Sequence, residues 1–152
     1  MKAFRLSVLV LVSLQGCSDI QQATYESVDQ ARAAGAIERG WIPSFLPPSA
    51  VRIEEHHSID TSRGWVRFHA PWRDLAAIGD MNRRINAASF KATDLVVPDR
   101  PSDWPQELRR PLMMTPRASL LAFRRLDQGH SWCLAVDSVG EVGFAWHCDG
   151  AV

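Results

Sequence analysis

Residues 131–148, SWCLAVDSVGEVGFAWHC, constrain the fold more than any other stretch. Two runs rich in β-branched and aromatic residues flank a glycine-bearing turn and end in cysteines, the pattern of a β-hairpin. A two-residue type II′ turn at Gly140 and Glu141 would set the register. It would pair Val139 with Val142, Asp137 with Phe144, Ala135 with Trp146, and Cys133 with Cys148. Directly opposed Cβ atoms lie roughly 4.5–5.5 Å apart, close to what a disulfide needs. A Cys133–Cys148 bridge is therefore expected, and with it an oxidising compartment. The alternatives are free thiols or a metal held with His147, for which no further Cys or His stands at ligand spacing. A redox pair would call for Cys-x-x-Cys, which is absent.

The third cysteine, Cys17, has a different context. Lys2 and Arg5 precede residues 6–14, an apolar run broken by serines. A run of about nine residues is too short to cross a bilayer but matches the apolar part of a signal peptide. Leu14-Gln15-Gly16-Cys17 resembles the lipobox of bacterial lipoproteins, with Gln15 departing from the small or apolar residue usual there. The resemblance implies removal of residues 1–16, lipidation of Cys17, and a lipidated tether over residues 17–25. Several acyl chains, at about 0.8 kcal/mol per buried CH₂, make a stable anchor. Ser18 stands where an aspartate would hold such a protein at the inner membrane, so the outer membrane is the expected address, facing the periplasm.

The rest of the chain, residues 26–152, reads as one domain with enough apolar residues for a core. Residues 25–34 carry Tyr25, Val28 and Ala31 at helical spacing, with Gly35 as a stop. A Gly- and Pro-dense connector follows. Residues 51–60 and 64–70 read as a hairpin turning at Thr61 and Ser62. A second helix starts after Pro71, with Leu75, Ile78, Asn82 and Ile85 on one face. A short helix capped by Asp103 and ended by Pro111 is expected next, then a strand over residues 117–126 and the cysteine hairpin. The expected fold is α+β, an antiparallel sheet of about five strands with two main helices packed on one face. Residues 35–60 also resemble a module of small bacterial envelope proteins, through Gly40, Trp41, Pro43, Leu46, Pro47, Ser49, Ala50, Ile53 and Glu54. That resemblance carries no activity.

Candidate chemistry gathers on the first hairpin. Strand alternation places Ile53, Glu55, His57 and Ile59 on one side and Glu54, His56 and Ser58 on the other. With the turn at Thr61 and Ser62, Glu54 faces His69 and His56 faces Arg67. Glu54, His56 and His69 then form a candidate zinc set, against a solvated polar face as the plainer alternative. On the other side a buried Glu55–His57 pair must be hydrogen-bonded and is a candidate general base. Trp65 has the best claim to exposure among the six tryptophans, and with Arg67 is a candidate binding surface. The arginine pairs 83/84, 109/110 and 124/125 are candidate anion contacts or simply solvated faces.

Several classes are excluded. Gly129-His130-Ser131-Trp132-Cys133 begins like a nucleophile elbow but lacks the second glycine and the following helix. There is no phosphate-cradling glycine loop and no dinucleotide fingerprint. Setting aside Lys2 and Arg5, the chain is two charges acidic, which argues against a nucleic-acid partner. What remains is a lipid-anchored envelope protein, with no cofactor expected. It would act as a non-catalytic binding module for an envelope protein or a cell-wall component. The alternatives are a hydrolase or metal-dependent enzyme acting on an envelope polymer, and an immunity or inhibitor lipoprotein against a periplasmic toxin or lysozyme.

Overall fold

A computed structural model describes residues 20–60, 63–80 and 120–148. The described elements are β1 (Ile20–Ser27), α1 (Val28–Ala33), β2 (Val51–Ser58), β3 (Gly64–His69), α2 (Trp72–Asp80), β4 (Leu120–Asp127), β5 (His130–Asp137) and β6 (Val142–His147). The strands form one six-stranded sheet in the order β1-β2-β3-β6-β5-β4. Every neighbouring pair is antiparallel. Two three-stranded halves thus meet at the β3–β6 seam.

Alternation sorts the side chains. Tyr25, Ile53, Val66, Phe68, Ala145, Trp132, Leu134 and Val136 point to one face, where they join Val28, Ala31, Ile42, Leu46, Leu75 and Ile78 in the core. Each large side chain buried there contributes about 1.5–3 kcal/mol. At the seam Phe68 lies opposite Gly143. A Cβ on that glycine would come within 2.2 Å of the Phe68 ring, so the ring occupies the space of the missing side chain. The far face carries Trp65, Phe144, Trp146, Cys133 and Cys148, which are also buried.

The cover over the core is mostly irregular chain. Ser27 caps α1, its Oγ accepting from Gln30 N at 3.2 Å. Gln30 Oε1 in turn accepts from Glu26 N at 2.6 Å, a reciprocal arrangement close to a capping box. Residues 34–42 then wind back on themselves, with Trp41 N and Ile42 N both donating to Ala36 O. The connector is pinned to the far sheet edge, where Ser44 N and Oγ both donate to Asp127 at 2.7 and 2.6 Å. The start of α2 is tied twice: Trp72 N donates to Glu141 Oε1, and Ser49 Oγ donates to Asp74 Oδ2.

These observations correct the expected α+β architecture. The described sheet has six strands rather than about five, and α1 and α2 are too short to be the two main layers on one face. Residues 20–25, read as tether, and Tyr25, read as the start of a helix, belong to β1, which pairs with β2 along its length. Both expected hairpin registers are off by two residues. In β5–β6, Asp137 faces Val142 and Cys133 faces Trp146. The chain turns over four residues because Asp137 Oδ1 accepts from Val139 N and Gly140 N, closing a wider Asx-type turn. In β2–β3, Ser58 N donates to Arg63 O, so Glu54 faces Arg67 and His56 faces Trp65. A bulge at Arg52, whose φ is +49°, then brings Val51 opposite His69.

A shift of two leaves every side chain on its expected face. The disulfide between Cys133 and Cys148 therefore forms along a diagonal, with Cα atoms 5.6 Å apart. The lipobox-like segment, Cys17, the Asp103 helix, Trp104 and the arginine pairs 83/84 and 109/110 lie outside the described residues.

Candidate functional site

At the hairpin end of β2 the sheet's core face opens into a cleft of about 350 Å³, lined by Arg39, Gly40, Trp41, His57, Ser58, Ile59, Arg63, His130 and His147. Strand order explains how residues so far apart in sequence meet. His57 on β2 faces Gly64 on β3. Gly64 in turn adjoins His147, whose Cε1 lies 3.4 Å from the point where a Cβ on that glycine would sit. The glycine between the two imidazoles keeps the space open. His130, at the start of β5, stacks on His147 with ring centroids 5.1 Å apart. Trp132 packs on the same His147 ring in a T-shaped arrangement, with centroids 4.0 Å apart. The connector closes the third side, where Gly40 approaches His130.

His57 is held from two directions. Its Nδ1 shares a 2.5 Å hydrogen bond with Glu55 Oε1, and its ring stacks on Trp41 at 3.9 Å and 15°. Arg39 lies over Trp41 with its guanidinium carbon 4.1 Å from the ring centroid, a cation–π contact. Arg39 Nε donates to Gly35 O at 3.0 Å, and its Nη2 donates to Ala34 O. The guanidinium is thus fixed by backbone carbonyls.

Glu55 is fully buried beneath His57. Its second oxygen, Oε2, has no hydrogen-bond partner among the described residues. Burial raises its carboxyl above the ordinary carboxylate range, and the bond and charge of His57 offset only part of that rise. The Tyr25 hydroxyl is raised as well, first by burial and then by the neighbouring Glu55 charge.

The candidate zinc set is not brought together. Glu54 pairs with Arg67 at 3.5 Å, a half-exposed contact of little energetic weight. His56 stacks on Trp65, with centroids 5.4 Å apart. His69 sits opposite Val51, and burial together with Arg52 and Arg67 lowers its pKa. Among the described residues no three His, Cys, Asp or Glu side chains are grouped so as to hold a metal. Trp65 lies on the His56 side as expected, but it is 3% exposed, which corrects its reading as an open binding residue. Arg67 is half-buried beside it. Of the weak catalytic candidates, His57 lines the cleft, while Glu55 lies buried behind it and outside the lining.

The residues that sequence reasoning missed are Arg39, Arg63, His130 and His147, together with the role of Trp41. A usable signal existed for the second wall, since His130, Trp132, Leu134 and Val136 alternate toward the same face as Ala145 and His147.

Residues 19–69, about a third of the chain, match a family described as the YbbD head domain. The match points to a protein of the bacterial envelope type. It takes in β1 through β3, and with them Arg39, Trp41, Glu55, His57 and Arg63, while His130 and His147 fall outside it. The envelope-type module read in residues 35–60 lies within the matched region. No curated protein and no solved structure matches the chain.

Proposed function

We propose that this chain is a lipid-anchored protein of the bacterial cell envelope, facing the periplasm from the outer membrane. Its cleft is a non-catalytic binding site for an envelope protein or cell-wall component. One observation carries the binding reading: five basic side chains converge on a preformed cleft whose described lining includes no carboxylate. Concave sites of this size with a few convergent polar groups are the usual form of ligand sites. The head-domain match, the lipobox-like Leu14-Gln15-Gly16-Cys17 and the Cys133–Cys148 bridge support the address. Among the described helices none is long and apolar enough to cross a membrane.

The test has two parts. Intact mass of the membrane-extracted protein should show loss of residues 1–16 and an added lipid mass, with two thiols appearing only on reduction. The protein should also cosediment with purified envelope fractions, and Arg63→Ala and His130→Ala should weaken that association. An unprocessed chain with three free thiols would defeat the address. Association untouched by both variants would defeat the site.

A second reading rests on the short Glu55–His57 bond, which resembles an oriented general base. An enzyme of this kind would release soluble fragments from isolated cell-wall polymer and lose that turnover in His57→Ala. A binding module releases none in either form.

A further inference from the structure

From the charge and geometry of the cleft we infer that its ligand carries an anionic oxygen group, phosphoryl or carboxylate, which the cleft receives between Arg63, His57 and His130. This deepens the proposed function and rests on the cleft being the binding site. Arg63 is exposed and has no carboxylate partner among the described residues. Arg39 is fixed over Trp41 by backbone carbonyls, which accept from its Nε and Nη2 without cancelling its charge. Two guanidinium groups facing one concave space, with no lining carboxylate, focus positive potential there. Arginine suits phosphoryl and carboxylate oxygens because its planar donors match them in pairs.

His57 adds a directed nitrogen. Glu55 occupies Nδ1, which leaves Nε2 as the ring nitrogen available at the cleft. The carboxylate that orients His57 lies beneath the ring and outside the lining, so it does not confront an incoming anion. Trp41 and the 60%-exposed Ile59 supply an apolar border. The group that carries the anion can rest against it.

The experiment titrates the full chain with inorganic phosphate, with acetate, and with a neutral N-acetylglucosamine oligomer. Binding is followed by calorimetry and by the imidazole ¹⁵N resonances of His57 and His130. The expected result is saturable binding of phosphate or acetate that moves both histidines and weakens as salt rises. Arg63→Ala should weaken it roughly tenfold, the scale of one charge-assisted hydrogen bond. Arg73→Ala, on the exposed side of α2, should leave it unchanged. Phosphate without acetate assigns a phosphoryl ligand, and acetate without phosphate a carboxylate. If the neutral oligomer saturates the cleft and neither anion does, the inference is overturned while the binding site stands. If none of the three binds and Arg63→Ala cosediments with envelope fractions like the parent, the inference and the proposed function fall together.

Discussion

On the β2 side of the cleft His57 is held by a buried carboxyl and a tryptophan, whereas on the β5–β6 side His130 and His147 are held by each other and by Trp132. The first wall rests on a hydrogen bond to a carboxyl whose pKa burial raises. The second depends on a covalent bridge, since Cys133 and Cys148 tie together the two strands that carry its histidines. The same side chain, placed twice around one space, is positioned once by electrostatics and once by packing behind a cross-link. The two walls should therefore fail under different conditions.

The largest expected effect comes from breaking the second wall. Replacing Cys133 and Cys148 together by alanine opens a loop with a sequence separation of 15 residues. It should cost about 3 kcal/mol in urea unfolding. Hydrogen exchange should rise first at β5 and β6 while the His57–Trp41 stack persists. Equal loosening of both walls would mean that they are not independent. Next comes the seam that joins them. Gly143→Ala drives a methyl into the Phe68 ring and should cost about 1–3 kcal/mol, with both walls affected together.

The first wall is broken by Glu55→Ala. The substitution leaves a buried imidazole nitrogen without its partner, at about 1–3 kcal/mol. Its pH signature is sharper. Because the folded Glu55 carboxyl lies above its ordinary value of 4.5, the native state holds more protons than the unfolded chain between those two values. The contribution of this group therefore falls as pH rises from 4.5 and levels off above the raised value. Glu55→Gln should remove that decline, read from urea midpoints between pH 4 and 8. The disulfide variant should keep it. The smallest effect lies outside both walls. Ser49→Ala removes the bond that is the main cause of the lowered Asp74 pKa, so that value should rise in an NMR titration with little change in stability.

Faces were legible in the sequence and registers were not. Alternation set Glu55 and His57 apart from Glu54 and His56, and the structure keeps them so. Pairing depends on turn length, and that was decided by groups with no strong local pattern. One is Asp137 binding two amide hydrogens, and another is Ser58 closing on Arg63. A displacement of two residues preserved the disulfide yet replaced His69 by Arg67 opposite Glu54. β1 escaped notice because an edge strand tolerates glutamines and threonine on its open side. Tyr25 and Val28 meanwhile fit a helical spacing equally well. Only half of the cleft could be read, because His57 and its Glu55 partner are neighbours in sequence. His147 reaches the site only through the strand order β3-β6-β5, which no local pattern encodes.

That order also has a consequence in time. A chain made from its N-terminus presents Arg39, Trp41 and His57 well before His130 and His147. The β1–β2–β3 half shares its core with residues of β5 and β6. Ser44 must wait for Asp127, and β3 must wait for β6, before the connector is seated and the second wall exists. A domain generally folds as a unit. Here the strand order makes the second wall depend on β6, so a chain cut short before β6 lacks His147 and the strand that joins the two halves.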